Sequence, residues 1–263
     1  MTIPIFQVDA FTDRPFAGNP AAVCILPGPR DDVWLQAVAG EMNLSETAFL
    51  TKEADGFRLR WFTPKVEVSL CGHATLASAH VLWQEGYARP DETIRFHTLS
   101  GVLTASQKGE EIELDFPLEP DAPIYPPTNL SNALGVPLKY VGKNRFGFLV
   151  EVDSPDTLRK MTPDFKLLAT ITDRGVIVTS RSSEPRFDFV SRFFAPGFGI
   201  DEDPVTGSAH CCLGAYWRKQ LGKSEFLAYQ ASARGGVVRV RVDDKRAYLG
   251  GKAVTVLKGE LLA

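Results

Sequence analysis

The second half of this chain repeats the first. "RWFTP" at Arg60 to Pro64 is echoed by "RFFAP" at Arg192 to Pro196, and "GHATLASAHVLW" from Gly72 by "GSAHCCLGAYW" from Gly207. "SGVLTAS", carrying Gly101, is matched by "RGGVVRV", carrying Gly235, and "TAFLT" from Thr47 by "GVIVT" from Gly175. The offsets are 132, 135, 134 and 128 residues in a chain of 263, and the order is kept. Strand–turn–helix segments resemble one another in any protein. Four ordered anchors at half the chain length nevertheless read better as two lobes of similar topology, related by a pseudo-twofold. A chain this long can form one large domain or two of about 130 residues. The Pro-rich stretch "DFPLEPDAPIYPP", Asp115 to Pro127, falls near mid-chain and reads as the linker. The expected lobes are therefore 1–118 and 119–263, leaving open whether the last strand crosses back to the first lobe.

Within the first lobe, Ile3 to Ala10, Phe57 to Phe62, Val102 to Ala105 and Ile112 to Phe116 read as strands from alternation and β-branched content. Asp31 to Met42 reads as an amphipathic surface helix capped by Asp31, with Trp34, Val38 and Met42 on one face. In the second lobe the strands are Phe146 to Val152, Val176 to Thr179, Phe187 to Phe194 and Val237 to Val242. Asp243-Asp244 is a hairpin turn returning through Tyr248. The echoed helices, His73 to Gln84 and Ser208 to Trp217, are apolar nearly all round and rich in small residues, the mark of buried helices. The fold class is α+β: each lobe a curved, mostly antiparallel sheet around one central helix. Each central helix opens at a glycine, where backbone N–H groups and the positive end of the helix dipole can receive a carboxylate. Lobes that face each other would bring both helix starts to one cleft.

The composition excludes several function classes. Net charge is −3 and no basic block stands out, so nothing points to nucleic acid or an anionic membrane. The N-terminus alternates like a strand and lacks a signal-peptide core, and no apolar run approaches a membrane span. Cys24, Cys71, Cys211 and Cys212 make a poor disulfide framework and suit a reducing cytoplasm. Metal-ligand spacing is weak, and neither a nucleophile elbow nor a Gly-rich phosphate loop is present.

Three stretches can carry chemistry. In "NLSETAFL", Glu46 stands at the start of an apolar strand, where poor solvation would raise its pKa and suit it to general base work; it could equally close an exposed turn. In "CGHATLASAHVLW", His73 lies in the first turn of a buried helix. The dipole there disfavours imidazolium, so a neutral histidine is expected, either in a cleft or satisfied in the core. Cys71 is a low-pKa thiolate or a small buried hydrophobe. In "EDPVTGSAH", Asp203 and Thr206 cap the helix, or Asp203 and the Gly207-Ser208 amides line the cleft as the twin of Gly72-His73. Loops around Asn19 and Gly142 to Phe146 are where substrate discrimination is expected.

With these residues in place, the chain resembles the PhzF family of phenazine-biosynthesis-like isomerase proteins. The matching pieces are "QVDAFTDRPFAGNPAAV", "SETAFL", "RWFTPKVEVSLCGHATLA" and "GIDEDPVTGSAH", with a fainter match in "ARGGVVRV" and "YLGGKAV". The resemblance implies a diaminopimelate epimerase-like fold. It implies an isomerase that needs no metal or cofactor; the phenazine enzyme moves a proton around the ring of trans-2,3-dihydro-3-hydroxyanthranilate. Carried onto this sequence, the catalytic residues are Glu46, His73 and Asp203, and the substrate-binding residues Asn19, Ser45, Gly72, Gly207 and Ser208. A small carboxylated cyclic or amino-acid-like substrate, a cytoplasmic location and a homodimer follow from the same resemblance. One alternative is an amino-acid racemase or epimerase using Cys71, because related epimerases open the first helix with a catalytic Cys-Gly. Asp203-Pro204-Val205 stands where their second thiol would be. Another is a non-catalytic small-ligand-binding protein.

Overall fold

The computed structural model describes residues 2–262. The chain divides into two compact units, one of residues up to Phe116 together with those from Leu249 onward, the other Pro117–Tyr248. In chain order the elements are β1 (Ile3–Ala10), β2 (Asn19–Leu26), α1 (Asp32–Met42), β3 (Glu46–Glu53), β4 (Gly56–Phe62), β5 (Glu67–Val68), α2 (Gly72–Gln84), β6 (Ile94–Thr98), β7 (Gly101–Lys108) and β8 (Glu111–Pro117). There follow β9 (Ala122–Pro123), α3 (Leu130–Leu134), β10 (Tyr140–Asn144), β11 (Gly147–Glu151), α4 (Pro155–Lys160), α5 (Phe165–Ile171), β12 (Gly175–Arg181), β13 (Phe189–Ala195) and β14 (Ile200–Asp203). The last are α6 (Gly207–Leu221), β15 (Glu225–Gln230), β16 (Gly236–Val242), β17 (Arg246–Gly251) and β18 (Ala253–Leu261).

The repeat in the sequence is a repeat of strand pairing. In the first unit β2 runs parallel to β3, β3 antiparallel to β4, β4 antiparallel to β5 and parallel to β6, and β6 antiparallel to β7. In the second unit β11, β12, β13, β14, β15 and β16 pair in the same senses and order. The long helix α2 falls between β5 and β6, and α6 between β14 and β15. An ion pair is repeated as well. Arg60 on β4 grips Glu67 on β5 with two bonds of 2.7 Å, and Arg192 on β13 grips Glu202 on β14 with bonds of 2.7 and 2.8 Å. Each bidentate clamp holds the short strand that leads into the long helix.

Local chemistry explains the helices. Asp31 caps α1 by accepting from Trp34 N at 2.8 Å, and Asn43 ends it in the left-handed conformation. Leu35 and Val38 of α1 pack onto Ile3, Ile5, Ala22, Cys24, Phe49 and Phe62, one face of β1 to β4. The alternate strand residues Ala21, Val23, Ala48 and Leu50 point the other way and are also buried. The helix α2 touches β1, β2, β3 and β18. Burial of α2 is tolerable because its hydroxyls are satisfied internally: Ser78 donates to Ala74 O at 2.7 Å and Thr75 to Cys71 O at 2.5 Å. Small residues also let strands come close. A Cβ on Gly214 of α6 would lie 2.6 Å from Val242 Cγ1 and 2.9 Å from Val240 Cγ1. In the second unit α3, α4 and α5 supply Leu130, Leu134, Leu158 and Leu168 to a core with Val150, Val176, Val178 and Phe194.

The Pro-rich stretch is less irregular than its composition suggests. Asp115 to Pro117 completes β8, and Ala122–Pro123 pairs with β10. A proline at a strand terminus forfeits only a bond that the terminus did not need. The residues expected on loops near Asn19 and Gly142 are strand residues: Asn19 opens β2, and Gly142 to Asn144 lie in β10. Their Asn, Pro and Gly content imitates a turn.

Candidate active site

In the first unit the segment between β1 and β2 is tied down at several points. Asp9 Oδ2 accepts from Phe16 N at 2.7 Å, and Thr12 exchanges bonds with the Arg14 backbone. Gly18 has φ +64°, and a Cβ there would sit 2.1 Å from Ala10 O, so only glycine closes the turn. The next residue is Asn19, which is fully buried at the start of β2. Glu46 begins the parallel neighbour β3, in register with Ala21. Cys71 is the N-cap of α2, and His73 is its second residue.

These four side chains converge. Glu46 Oε2 is 3.2 Å from His73 Nε2, Asn19 Nδ2 is 3.1 Å from His73 Nδ1, and Cys71 Sγ is 3.6 Å from the same Nδ1. The Glu46 side chain keeps 15% of its surface and that of His73 4%, so the carboxylate is the more accessible group. Desolvation pushes the His73 pKa down to about 3, which leaves the ring neutral beside the carboxylate. The sequence expectation of a neutral histidine holds, with burial as its cause. Ser45 immediately precedes Glu46 and is half-buried. Gly72 is the first residue of α2.

In the second unit Asp203 ends β14 and is nearly buried. Thr206 donates its hydroxyl to Asp203 Oδ2. Gln230, at the end of β15, locks this turn. Its Nε2 donates to Asp203 O at 2.8 Å and Thr206 Oγ1 at 3.2 Å, and its Oε1 accepts from Thr206 N at 2.9 Å. Sequence reasoning did not find Gln230, because a lone glutamine at a strand end carries no local signal. Gly207 and Ser208 open α6. His210 Nδ1 donates to Thr206 O at 2.8 Å, and burial pushes its pKa down to about 4. It repeats the contact by which Thr75 reaches back to Cys71 O in α2. Cys211 and Cys212 lie in the body of α6, where burial pushes both thiols up.

The two long helices, like the short α3, start without a side-chain cap. Asp31, Ser154 and Asp164 cap α1, α4 and α5 with side-chain oxygens, whereas neither Cys71 nor Thr206 caps its own helix through its side chain. Backbone donors at those starts are thus not taken up by the N-cap residue.

Glu46, Cys71 and His73 each offer a ligand atom, all within 4.8 Å of one another. The donor set is reasonable for a transition metal, but the ring divides it. The shortest approaches fall on opposite ring nitrogens, Cys71 on Nδ1 and Glu46 on Nε2, so an ion on either nitrogen would draw one of the other two ligands further in.

A family model described as phenazine biosynthesis-like protein matches residues 8–259. The chain belongs to this PhzC-PhzF family. An uncharacterized isomerase of Halalkalibacterium halodurans is 57% identical over 263 residues, covering 100% of this chain and 99% of that one. The crystal structure of an Enterococcus faecalis PhzF-family protein superposes with a TM-score of 0.94 at 42% identity, covering 100% of both chains. A hydroxyproline epimerase from Agrobacterium vitis, solved with trans-4-hydroxy-L-proline, has a TM-score of 0.68 at 13% identity over 99% of this chain and 92% of its own. That distant likeness concerns fold alone. The fold is diaminopimelate epimerase-like, as the sequence resemblance implies. Among the described residues no helix is long and apolar enough to cross a membrane.

Proposed function

We propose that this protein is a cofactor-independent isomerase in which Glu46 moves a proton between carbons of a small carboxylated cyclic or amino-acid-like substrate. The observation that carries the reading is the close contact of the Glu46 carboxylate with a neutral, buried His73 at the start of α2. A carboxylate of this kind can remove a proton from a carbon next to a conjugated carboxylate and return it elsewhere. The positive end of α2, opening at Gly72, would stabilise the negative charge that builds on the substrate. In the second unit Asp203, Gly207 and Ser208 are proposed to hold substrate polar groups, and Asn19 and Ser45 to complete the binding set. Family membership and relatives named as isomerases support the reaction class.

A racemase or epimerase using Cys71 is the second reading, favoured by the 3.6 Å approach of its thiol to His73. No thiol occupies the matching place before α6, where Asp203, Pro204, Val205 and Thr206 stand. A cytoplasmic location and a homodimer complete the proposal. Four free, buried cysteines are compatible with the former.

The test is proton NMR in D2O with trans-2,3-dihydro-3-hydroxyanthranilate, comparing wild type with Glu46→Gln. Isomerisation or deuterium uptake by wild type, reduced at least about 100-fold in the variant, is expected. Turnover that survives Glu46→Gln and disappears in Cys71→Ala would replace the first reading with the second.

A further inference from the structure

The contacts of Asn19 define a second role beside the substrate binding proposed above. Its Nδ2 faces His73 Nδ1 at 3.1 Å, and both residues are buried. An amide nitrogen only donates, so Nδ1 must present its lone pair. The Cys71 thiol, which can donate or accept, reaches the same nitrogen at 3.6 Å and accommodates either tautomer, leaving the choice to Asn19. Across the ring, Glu46 Oε2 lies 3.2 Å from Nε2, and an ionised carboxylate only accepts. The Asn19 donor, with the carboxylate facing the far side of the ring, thus favours one tautomer, with Nδ1 bare and Nε2 protonated.

We propose that Asn19 is a positioning residue that holds His73 in the Nε2–H tautomer, so that the ring donates toward Glu46 and does not compete with it for the substrate proton. The catalytic consequence rests on Glu46 being the base. The opposite tautomer would set a lone pair against a carboxylate oxygen and offer a second base beside the first. Desolvation keeps the ring neutral, so one nitrogen carries the only proton and the choice between them matters. The Nε2 to Oε2 approach is bent out of hydrogen-bond alignment, as catalytic contacts often are before substrate binds. The constrained segment ending at Gly18 explains how a strand terminus can aim an amide this accurately.

The test observes the ring itself. Full-length protein labelled with 15N-histidine is studied by long-range 1H–15N NMR, which separates protonated from bare ring nitrogens. His73 is assigned by its loss in His73→Gln. Between about pH 6 and 9 the wild type should show bare Nδ1 and protonated Nε2. An Nδ1–H ring or a mixture of tautomers overturns the proposal, whether or not the protein turns over a substrate. Asn19→Asp keeps the shape but makes the neighbour an acceptor, and should place a proton on Nδ1, as the Nδ1–H tautomer or as imidazolium between two carboxylates. Asn19→Leu fills similar space without donating, and should give a mixture. An unchanged Nε2–H signature in either folded variant overturns the role of Asn19. In the deuterium assay Asn19→Asp should lower kcat by about 10-fold to 10⁴-fold, with a smaller change in KM, since a wrong tautomer disables an otherwise intact site. Absence of wild-type exchange would remove the proposed reaction, and the NMR result would still decide the tautomer.

Discussion

Acidification should destabilise this protein through two histidines that refuse protons. His73 and His210 are fully buried, and their pKa values lie at about 3 and about 4. Unfolding returns each ring to its ordinary value of about 6.5. Between those limits the unfolded chain binds protons that the folded chain does not. Stability from this source is therefore complete above pH 6.5 and lost as the pH falls through the window toward 4 and then 3. At about pH 5 each ring is about 1.5 units below its unfolded pKa, which at 1.36 kcal/mol per unit is about 2 kcal/mol, or about 4 kcal/mol together. Carboxylates contribute over the same range, so the quantity to read is a difference. Urea unfolding at about pH 7.5 and about pH 5 is compared for wild type and the double variant His73→Gln/His210→Gln. The variant should start less stable and lose about 4 kcal/mol less on acidification. A pH dependence identical to wild type would show that these rings are not held neutral by burial, and would remove the basis for a neutral His73 beside Glu46.

The repeated ion pairs are not equivalent. Arg192 also donates to Leu158 O and Met161 O at 3.2 and 2.8 Å, whereas Arg60 spends its remaining bond on the exposed Asp32. Arg192→Met should cost about 3 kcal/mol and Arg60→Met about 1 kcal/mol in urea unfolding; equal costs would contradict this ranking. Gly214→Ala adds a methyl 2.6 Å from Val242 and 2.9 Å from Val240, both buried. Overpacking of about 1–3 kcal/mol outweighs the helix-propensity gain of about 1 kcal/mol, so thermal unfolding should show a Tm lowered by a few degrees; an unchanged or raised Tm would refute the close approach.

Much of the fold was readable because the duplication preserved periodic, local signals. Asp31 capping α1, alternation in β1, and all-round apolarity of α2 and α6 are properties of neighbouring residues, so a linear reading finds them. Other elements escaped: β6, β15 and the short helices α3, α4 and α5 were not read, although Ser154 and Asp164 give α4 and α5 local capping signals. Asn19-Pro20 imitates a turn but opens β2. The prolines of Asp115 to Pro127 conceal β9, while β8 was read to within a residue of each end.

The sequence alone determined the two-fold repetition, the buried helices opening at Gly72 and Gly207, and the residue types able to do chemistry. Only the tertiary structure decided which of them meet. Asn19, Glu46 and His73 are separated by 27 residues or more along the chain, and they meet because β2 and β3 pair in parallel beside the start of α2. Gln230 meets Asp203 for the same kind of reason, since β13 runs parallel to β15 and antiparallel to β14. The protonation of His73 belongs to the tertiary structure too, because desolvation and facing donors arise only once strands and helix have closed around the ring.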